Sequence, residues 1–294
     1  MPPPSPIADL PSPISQVAVA HPELHVVIEP RSGWQLVNWK EILACRDLCY
    51  FLVWRDLKVR YSQSVLGIGW VLIQPLCSML VYTFIFGRLV RMPSDGVPYP
   101  LFSFVALVPW TYFINVLNES SGSLVVNQNL ITKVYFPRLI LPLVSILNRM
   151  VDFLIAFALL VVLLAAYRVL PTWNVLFLPL LLIILSATGS GLGMLFAALS
   201  VQYRDVRYAL HFGVQLLMYA APVIYPVRII PAAYRPWYAL NPMVGVIEGF
   251  RASLLGTRPM PWTWIAQGAG VATLLFLIGA LYFRRRERQF ADLA

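Results

Sequence analysis

The chain has 294 residues and a formal net charge of +9, and 59% of its residues are hydrophobic while only 12% are charged. A soluble domain carries roughly a quarter charged residues, so a mean hydropathy of +0.73 excludes a soluble enzyme or binding module built around an ordinary core. Apolar runs of roughly twenty residues recur along the sequence, each long enough for a bilayer core of about 30 Å, and their continuity argues against a β-barrel.

The composition therefore predicts an all-α polytopic membrane protein. Its cations are scattered between the runs and form no single stripe, so they point to topology and anionic lipid headgroups, not to nucleic acid. Cys45 and Cys49 can share a helix face and Cys77 lies in an apolar run. No His or Cys stands near them at ligand spacing, and neither a disulfide framework nor a metal site is expected.

Residues 1–37 hold Pro2, Pro3, Pro4, Pro6, Pro11 and Pro13 and no continuous apolar core. They read as a disordered cytosolic tail, not a signal peptide. Over 38–60, Asn38 can cap a helix with Glu41 three positions on, and Cys45, Cys49, Leu52 and Val53 recur at helical spacing beside Trp39, Tyr50 and Trp54. This is an amphipathic interface helix, lying either on the cytosolic membrane surface or against another domain. It ends in Arg55, Lys58, Arg60 and Tyr61 and enters a first span at 67–86. Trp70 there sits at headgroup level, and Gly67 and Gly69 allow close approach to neighbouring helices.

A second span is expected over 99–117, with Asn115 and Asn118 facing protein or water. The stretch 124–137 is too polar to span and forms a short amphipathic helix. A third span, 143–166, carries Arg149 and Asp152 one turn apart; they either neutralise each other or serve substrate or gating. In the fourth span, 175–199, Gly189, Gly191 and Gly193 resemble a nucleotide-binding fingerprint. No strand precedes them, so close helix packing is the better reading. A fifth span covers 208–225.

Residues 229–256 are broken by Pro231, Pro236 and Pro242, with Asn241 placed to cap a helix, Glu248 and Arg251 one turn apart, and Gly256 to end it. Too short to cross twice, the segment fits a re-entrant extracytoplasmic helical hairpin. The last span, 262–283, runs into a basic tail, 284–294. Six spans put both termini on one side, and the positive-inside rule makes that side cytosolic. The arginines of the hairpin are the exception to the count.

Four segments then carry a resemblance: Arg55-Asp-Leu-Lys-Val-Arg-Tyr61, Leu66-Gly-Ile-Gly-Trp70, Val134-Tyr-Phe-Pro-Arg138 and Asn241-Pro-Met-Val-Gly-Val-Ile-Glu-Gly-Phe-Arg251. In order and spacing over about 38–285 they resemble ABC-2 type permeases, above all those that export O-antigen, capsule or teichoic acid precursors. The resemblance implies a homodimer in the bacterial inner membrane, driven by two copies of a separate ATPase that binds ATP and Mg. The present chain has no G-x-x-x-x-G-K-[ST] phosphate cradle, so no cofactor is expected in this subunit.

The resemblance also implies roles. Asn127, Leu130, Lys133, Tyr135, Phe136, Pro137 and Arg138 would couple to the ATPase. Arg55, Lys58, Arg60 and Tyr61 would meet an undecaprenyl-type lipid-linked glycan at the cytosolic entry, or else serve lipid contact and topology. Tyr82, Phe86, Tyr219 and Tyr225 are channel aromatics by position, with packing or interfacial anchoring the alternative. Trp237, Asn241, Pro242, Glu248 and Arg251 belong to the gate hairpin. Rival readings are an ABC-2 exporter of a drug, peptide or lipid, an integral-membrane glycan-modifying enzyme, and a passive channel. An enzyme would need an acid/base or metal-binding group at the membrane face, but His21 and His25 lie in the tail, His211 stands alone in the fifth span, and Asp205 and Glu248 sit beside arginines and read as paired.

Overall fold

The computed structural model describes residues 43–62, 67, 69–134, 136–203 and 205–286. The N-terminal tail, the Asn38–Glu41 cap, Tyr135 and residues 287–294 lie outside the described residues. Those described are all helical in architecture, with no strand among them. Helix α1 spans Arg46–Ser62, α2 Gly69–Tyr82, α3 Tyr99–Val126, α4 Gln128–Ile131, α5 Ile140–Ala166, α6 Leu178–Gln202, α7 Val206–Tyr219, α8 Arg235–Tyr238, α9 Pro242–Leu254 and α10 Trp262–Arg286. Past Tyr82, α2 continues as wider π-helical turns to Leu89.

Five segments are long and apolar enough to cross a bilayer: Gly69–Leu89, Tyr99–Val126, Ile140–Ala166, Trp173–Gln202 and Trp262–Arg286. Over 208–225, where the apolar run predicts a fifth of six spans, the helix stops at Tyr219. Its 14 residues reach about 21 Å at ~1.5 Å per residue, short of the hydrocarbon core. Pro222 and Pro226 withhold the amide hydrogens that would continue it.

Helix α3 is the centre of the bundle. Phe102, Phe104, Phe113, Leu101 and Val116 are wholly buried on it, and α2, α5, α6 and α9 pack around it. It also outlasts its apolar run. The helix continues nine residues past Leu117 to Val126, because its polar end faces other helices instead of lipid. The predicted 124–137 segment thus divides into the end of α3, the one-turn helix α4 and a turn.

The glycines of α6 explain how tightly its neighbours approach. A Cβ on Gly191 would lie 2.6 Å from the Phe276 Cα of α10, and one on Gly279 would overlap the Gly191 carbonyl. Gly193 meets Ser120 of α3 in the same way, and a Cβ on Gly189 would lie 3.1 Å from Val116. Small residues let these backbones touch, which is how helices associate where no hydrophobic force drives them together. Gly67, by contrast, works in a turn: its φ is +50 and a Cβ there would lie 3.7 Å from the Tyr61 carbonyl oxygen, so it bends the entry to α2.

The segment before the last span differs from a two-helix hairpin. Its first arm is three short pieces, Val227–Ile229, Ala232–Tyr234 and α8, separated by prolines. Its second arm, α9, is a helix buried at every position. The Asn241 side chain accepts from the Met243 amide at 3.1 Å, with Pro242 at the first helical position, an N-cap of the preferred kind. At the other end Thr172 donates through its amide to the Ser253 carbonyl at 2.9 Å, and Gly256 takes φ +64.

Two apolar clusters result. The larger fills the bundle from α2 to α10. The smaller gathers Cys49 and Leu52 of α1, Leu124 of α3, Phe136 ahead of α5, Ile140 and Val144 of α5, Met194 of α6 and Phe283 of α10 at the opposite end from α9. The apolar flanks of α2 (Leu80, Val81, Phe84) and of α7 (Tyr208, Phe212, Leu216) stay exposed.

Candidate functional site

Next to the smaller cluster, charged side chains from three helices meet. Arg60 of α1 donates to Glu119 of α3 at 2.9 Å and to Asp152 of α5 at 3.2 Å. Arg149 of α5 donates through Nη1 to Asp152 at 2.9 Å and through Nε to Glu119. Two guanidinium groups and two carboxylates thus alternate in a closed ring of zero net charge. The four side chains are 9 to 25% exposed, so each charge is compensated where water is scarce.

The ring extends in two directions. The Tyr61 hydroxyl donates to Asp152 Oδ1. Burial, first, and then that carboxylate push the Tyr61 pKa up to about 12. On the other side, the Asn148 amide donates to Glu119 at 3.1 Å and to Asp56 at 3.2 Å. Asp56 accepts from Arg55 at 2.8 Å, and Arg55 Nη2 donates to Asn127 Oδ1 at 2.8 Å. Asn127 in turn donates to the Ser123 carbonyl at 2.9 Å and stands at the N-terminus of α4. A continuous polar chain therefore joins the α3–α4 junction to the last residues of α1, just ahead of α2.

Two cavities flank the ring. One of about 530 Å³ lies between α1, α3 and α5 and is bordered by Arg55, Asp56, Asn118, Glu119, Asn127 and Arg149. The other, about 270 Å³, lies between α2, α3 and α5 and is bordered by Tyr61, Trp70, Gln74, Asn115, Asp152 and Phe153.

The expected site residues distribute as follows. Arg55, Arg60 and Tyr61 are engaged with protein groups and do not project free cations, while Lys58 lies 4.8 Å over the Trp54 ring. The Arg149–Asp152 pair forms, but as half of a larger ring. Along the expected coupling segment, Asn127 joins the network, Phe136 is buried, and Leu130 packs on the same cluster. Lys133 is exposed, and Pro137 and Arg138 form the turn leading to α5. Glu119, Asp56 and Asn148 were not legible as site residues. Glu119 falls just past the apolar run, and only helix continuity to Val126 aims it inward.

The aromatics are not gathered. Tyr82 and Phe86 make an edge contact at 6.1 Å and pack against the main core. Tyr219 is exposed, while the Tyr225 hydroxyl donates to the Tyr219 carbonyl at 2.7 Å and pairs with Tyr238 at 3.0 Å. In the region before α10, Trp237 is exposed. Glu248 and Arg251 are 5% and 3% exposed and pair at 2.8 Å. Arg251 also donates to the Val223 carbonyl at 3.1 Å and lies 3.7 Å over the Phe102 ring. This pair bonds the irregular backbone after α7 to α9 and α3.

Comparison with known proteins shows the family of the chain. Residues 47–255 match the family model described as ABC-2 type transporter. The O-antigen export system permease protein RfbA of Myxococcus xanthus is 31% identical over 86% of this chain and 97% of its own length. The protein of the same name from Klebsiella pneumoniae is 28% identical over 84% and 95%. The polysialic acid transport protein KpsM of Escherichia coli is 28% identical over 79% and 91%. With most of its length inside the family model and five membrane-crossing helices around one core, this multi-pass chain belongs to the ABC-2 type transporter family.

Proposed function

We propose that the chain is the permease subunit of an ATP-driven exporter of polysaccharide, moving an O-antigen-like glycan on a lipid carrier out of the cytosol. The observation that carries this reading is likeness to O-antigen export permeases over nearly their entire length. In this reading the subunit pairs with a second copy and with two copies of an ATPase that holds ATP and Mg, in the bacterial inner membrane, with both termini cytosolic. The exposed apolar flanks of α2 and α7 supply surfaces for a second copy and for lipid.

A sixth crossing belongs to the same reading. Helix α7 falls short alone, but the irregular residues after it include buried Ala221, Val223 and Ile224. Non-helical backbone is tolerated at membrane depth where protein satisfies it, and Arg251 does so for Val223.

The polar chain from Asn127 to Tyr61 gives the mechanism its path. ATP-driven motion of the partner pushes on α4. Arg55 and Asp56 carry the displacement into α1, and the Arg60–Glu119–Arg149–Asp152 ring exchanges partners as α1 moves against α3 and α5. Because the ring is neutral and each carboxylate meets two arginines, one contact can open while the other holds its charge.

The test is complementation. The chain, expressed with a cognate ABC ATPase in a host lacking its own O-antigen export permease, is expected to restore surface glycan in an ATP-dependent manner. ATPase stimulation by drugs or peptides with no glycan at the surface would overturn the assignment of cargo.

A further inference from the structure

The cavity of about 270 Å³ holds side chains that its surroundings do not explain. Gln74 of α2 and Thr111 and Asn115 of α3 border it, and none of the three side chains hydrogen-bonds to another described residue. Both helices are apolar enough to cross a membrane. Thr111 and Asn115 are part-buried, while Gln74 is exposed at the cavity's edge. An amide or hydroxyl with no partner is strongly disfavoured at membrane depth. Thr111 and Asn115 must therefore meet water or a polar ligand in the cavity, with Gln74 within reach of the same occupant. The rest of the lining mixes the aromatic rings of Tyr61, Trp70, Tyr112 and Phe153 with aliphatic Val71, Pro75, Val108 and Ala156.

Charge narrows the ligand. Arg60 and Arg149 reach the cavity, but Glu119 and Asp152 neutralise both, leaving no net attraction for a phosphate. Neutral hydrogen-bonding groups beside aromatic rings suit a flat, hydroxylated, uncharged ring. The volume lies just below the range of about 300–1,000 Å³ typical of sites for drug-sized ligands, so it admits one such ring and not an oligosaccharide.

We propose that this cavity between α2, α3 and α5 of one subunit binds one uncharged glycosyl residue, with Gln74 and Asn115 hydrogen-bonding its hydroxyls and the exposed Trp70 ring covering one face. The choice of a sugar rests on the polysaccharide reading above. The location, within one protomer and beside the charge ring, is independent of it. Occupancy at this place would sense the cargo where α1 joins α2.

The test uses the full chain in lipid nanodiscs and saturation-transfer NMR with methyl glucoside, methyl mannoside, methyl galactoside and N-acetylglucosamine. Transfer to ring protons of at least one sugar is expected, unaffected by inorganic phosphate. Gln74→Leu and Asn115→Leu should each weaken it about tenfold, since each removes hydrogen bonds to the sugar. Absence of transfer, equal transfer in both variants, or displacement by phosphate would overturn the proposal.

A second measurement does not depend on the leucine variants folding. With Cys45, Cys49 and Cys77 replaced by alanine, Asn115→Cys should react with a water-soluble thiol reagent, and the bound glycoside should slow it. An unreactive or unprotected thiol also overturns the proposal. Glycan export by the wild-type complex, run in parallel, judges the polysaccharide reading separately. Export that persists while every glycoside fails to bind sinks the cavity site alone.

Discussion

The molecule uses arginine–carboxylate contacts in two ways. In the region before α10, Glu248 and Arg251 are sealed in protein, one pair on one helix, with the guanidinium bonded to the Val223 carbonyl and stacked on Phe102. Beside α1, four charges from three helices share a ring that is part-exposed and flanked by cavities. The first arrangement has a single geometry and no room to leave it. The second has two acceptors for each arginine and space on both sides. A sealed pair bolts irregular backbone in place, whereas a shared, partly exposed ring lets helices shift while charge stays compensated.

The sharpest way to break this contrast is Glu248→Gln. Removing one partner of a buried pair costs roughly 3–5 kcal/mol, so the variant should lose a large part of its thermal stability in detergent. If its unfolding midpoint matched that of the wild type, Arg251 would not depend on Glu248 and the bolt would lie elsewhere.

Glu119→Gln is expected to act differently. The ring retains Asp152, so the protein should fold and the complex should still hydrolyse ATP, while glycan export per ATP falls about tenfold, equivalent to ~1.4 kcal/mol of coupling. The exchange Arg60→Glu with Glu119→Arg should recover part of the loss. Equal losses of hydrolysis and export in Glu119→Gln would mean that the ring is merely structural.

A smaller effect is expected along the chain to α4. A double-mutant cycle of Arg55→Gln and Asn127→Ala should give a coupling of about 1 kcal/mol in stability, the scale of a hydrogen bond to a charged group that is half open to water. Strict additivity would remove Asn127 from the path.

The smallest effect is with pH. The Tyr61 pKa is raised from 10.0 to about 12, so between those values the folded protein holds a proton that the unfolded chain has lost. This contribution is fully present below pH 10 and disappears as pH rises through about 12. Tyr61→Phe should flatten that part of the stability profile. An identical profile in both proteins would show that folding does not raise the Tyr61 pKa.

Much of this was legible from the residues. The helical membrane class follows from apolar runs of fixed length, because any crossing segment must satisfy its backbone internally. The Asn241–Pro242 cap, the small residues of α6 and the Arg149–Asp152 pair are local, set by spacing along one helix. The end of α3 was misplaced because hydropathy falls at Asn118 while the helix does not. The end of α7 was misplaced because an apolar run can be continued by irregular backbone that a distant arginine satisfies.

The sequence by itself thus determined the class of the protein, its principal membrane helices and the contacts made within single helices. Only the tertiary structure decided that Arg60 meets Asp152 across 92 residues and Glu119 across 59. It likewise decided that Asn148 reaches Asp56 and that Gln74 and Asn115 share a cavity. The physical reason is that a helix's period fixes which of its own side chains are neighbours, whereas a charge finds a partner on another helix only after packing has chosen which faces touch.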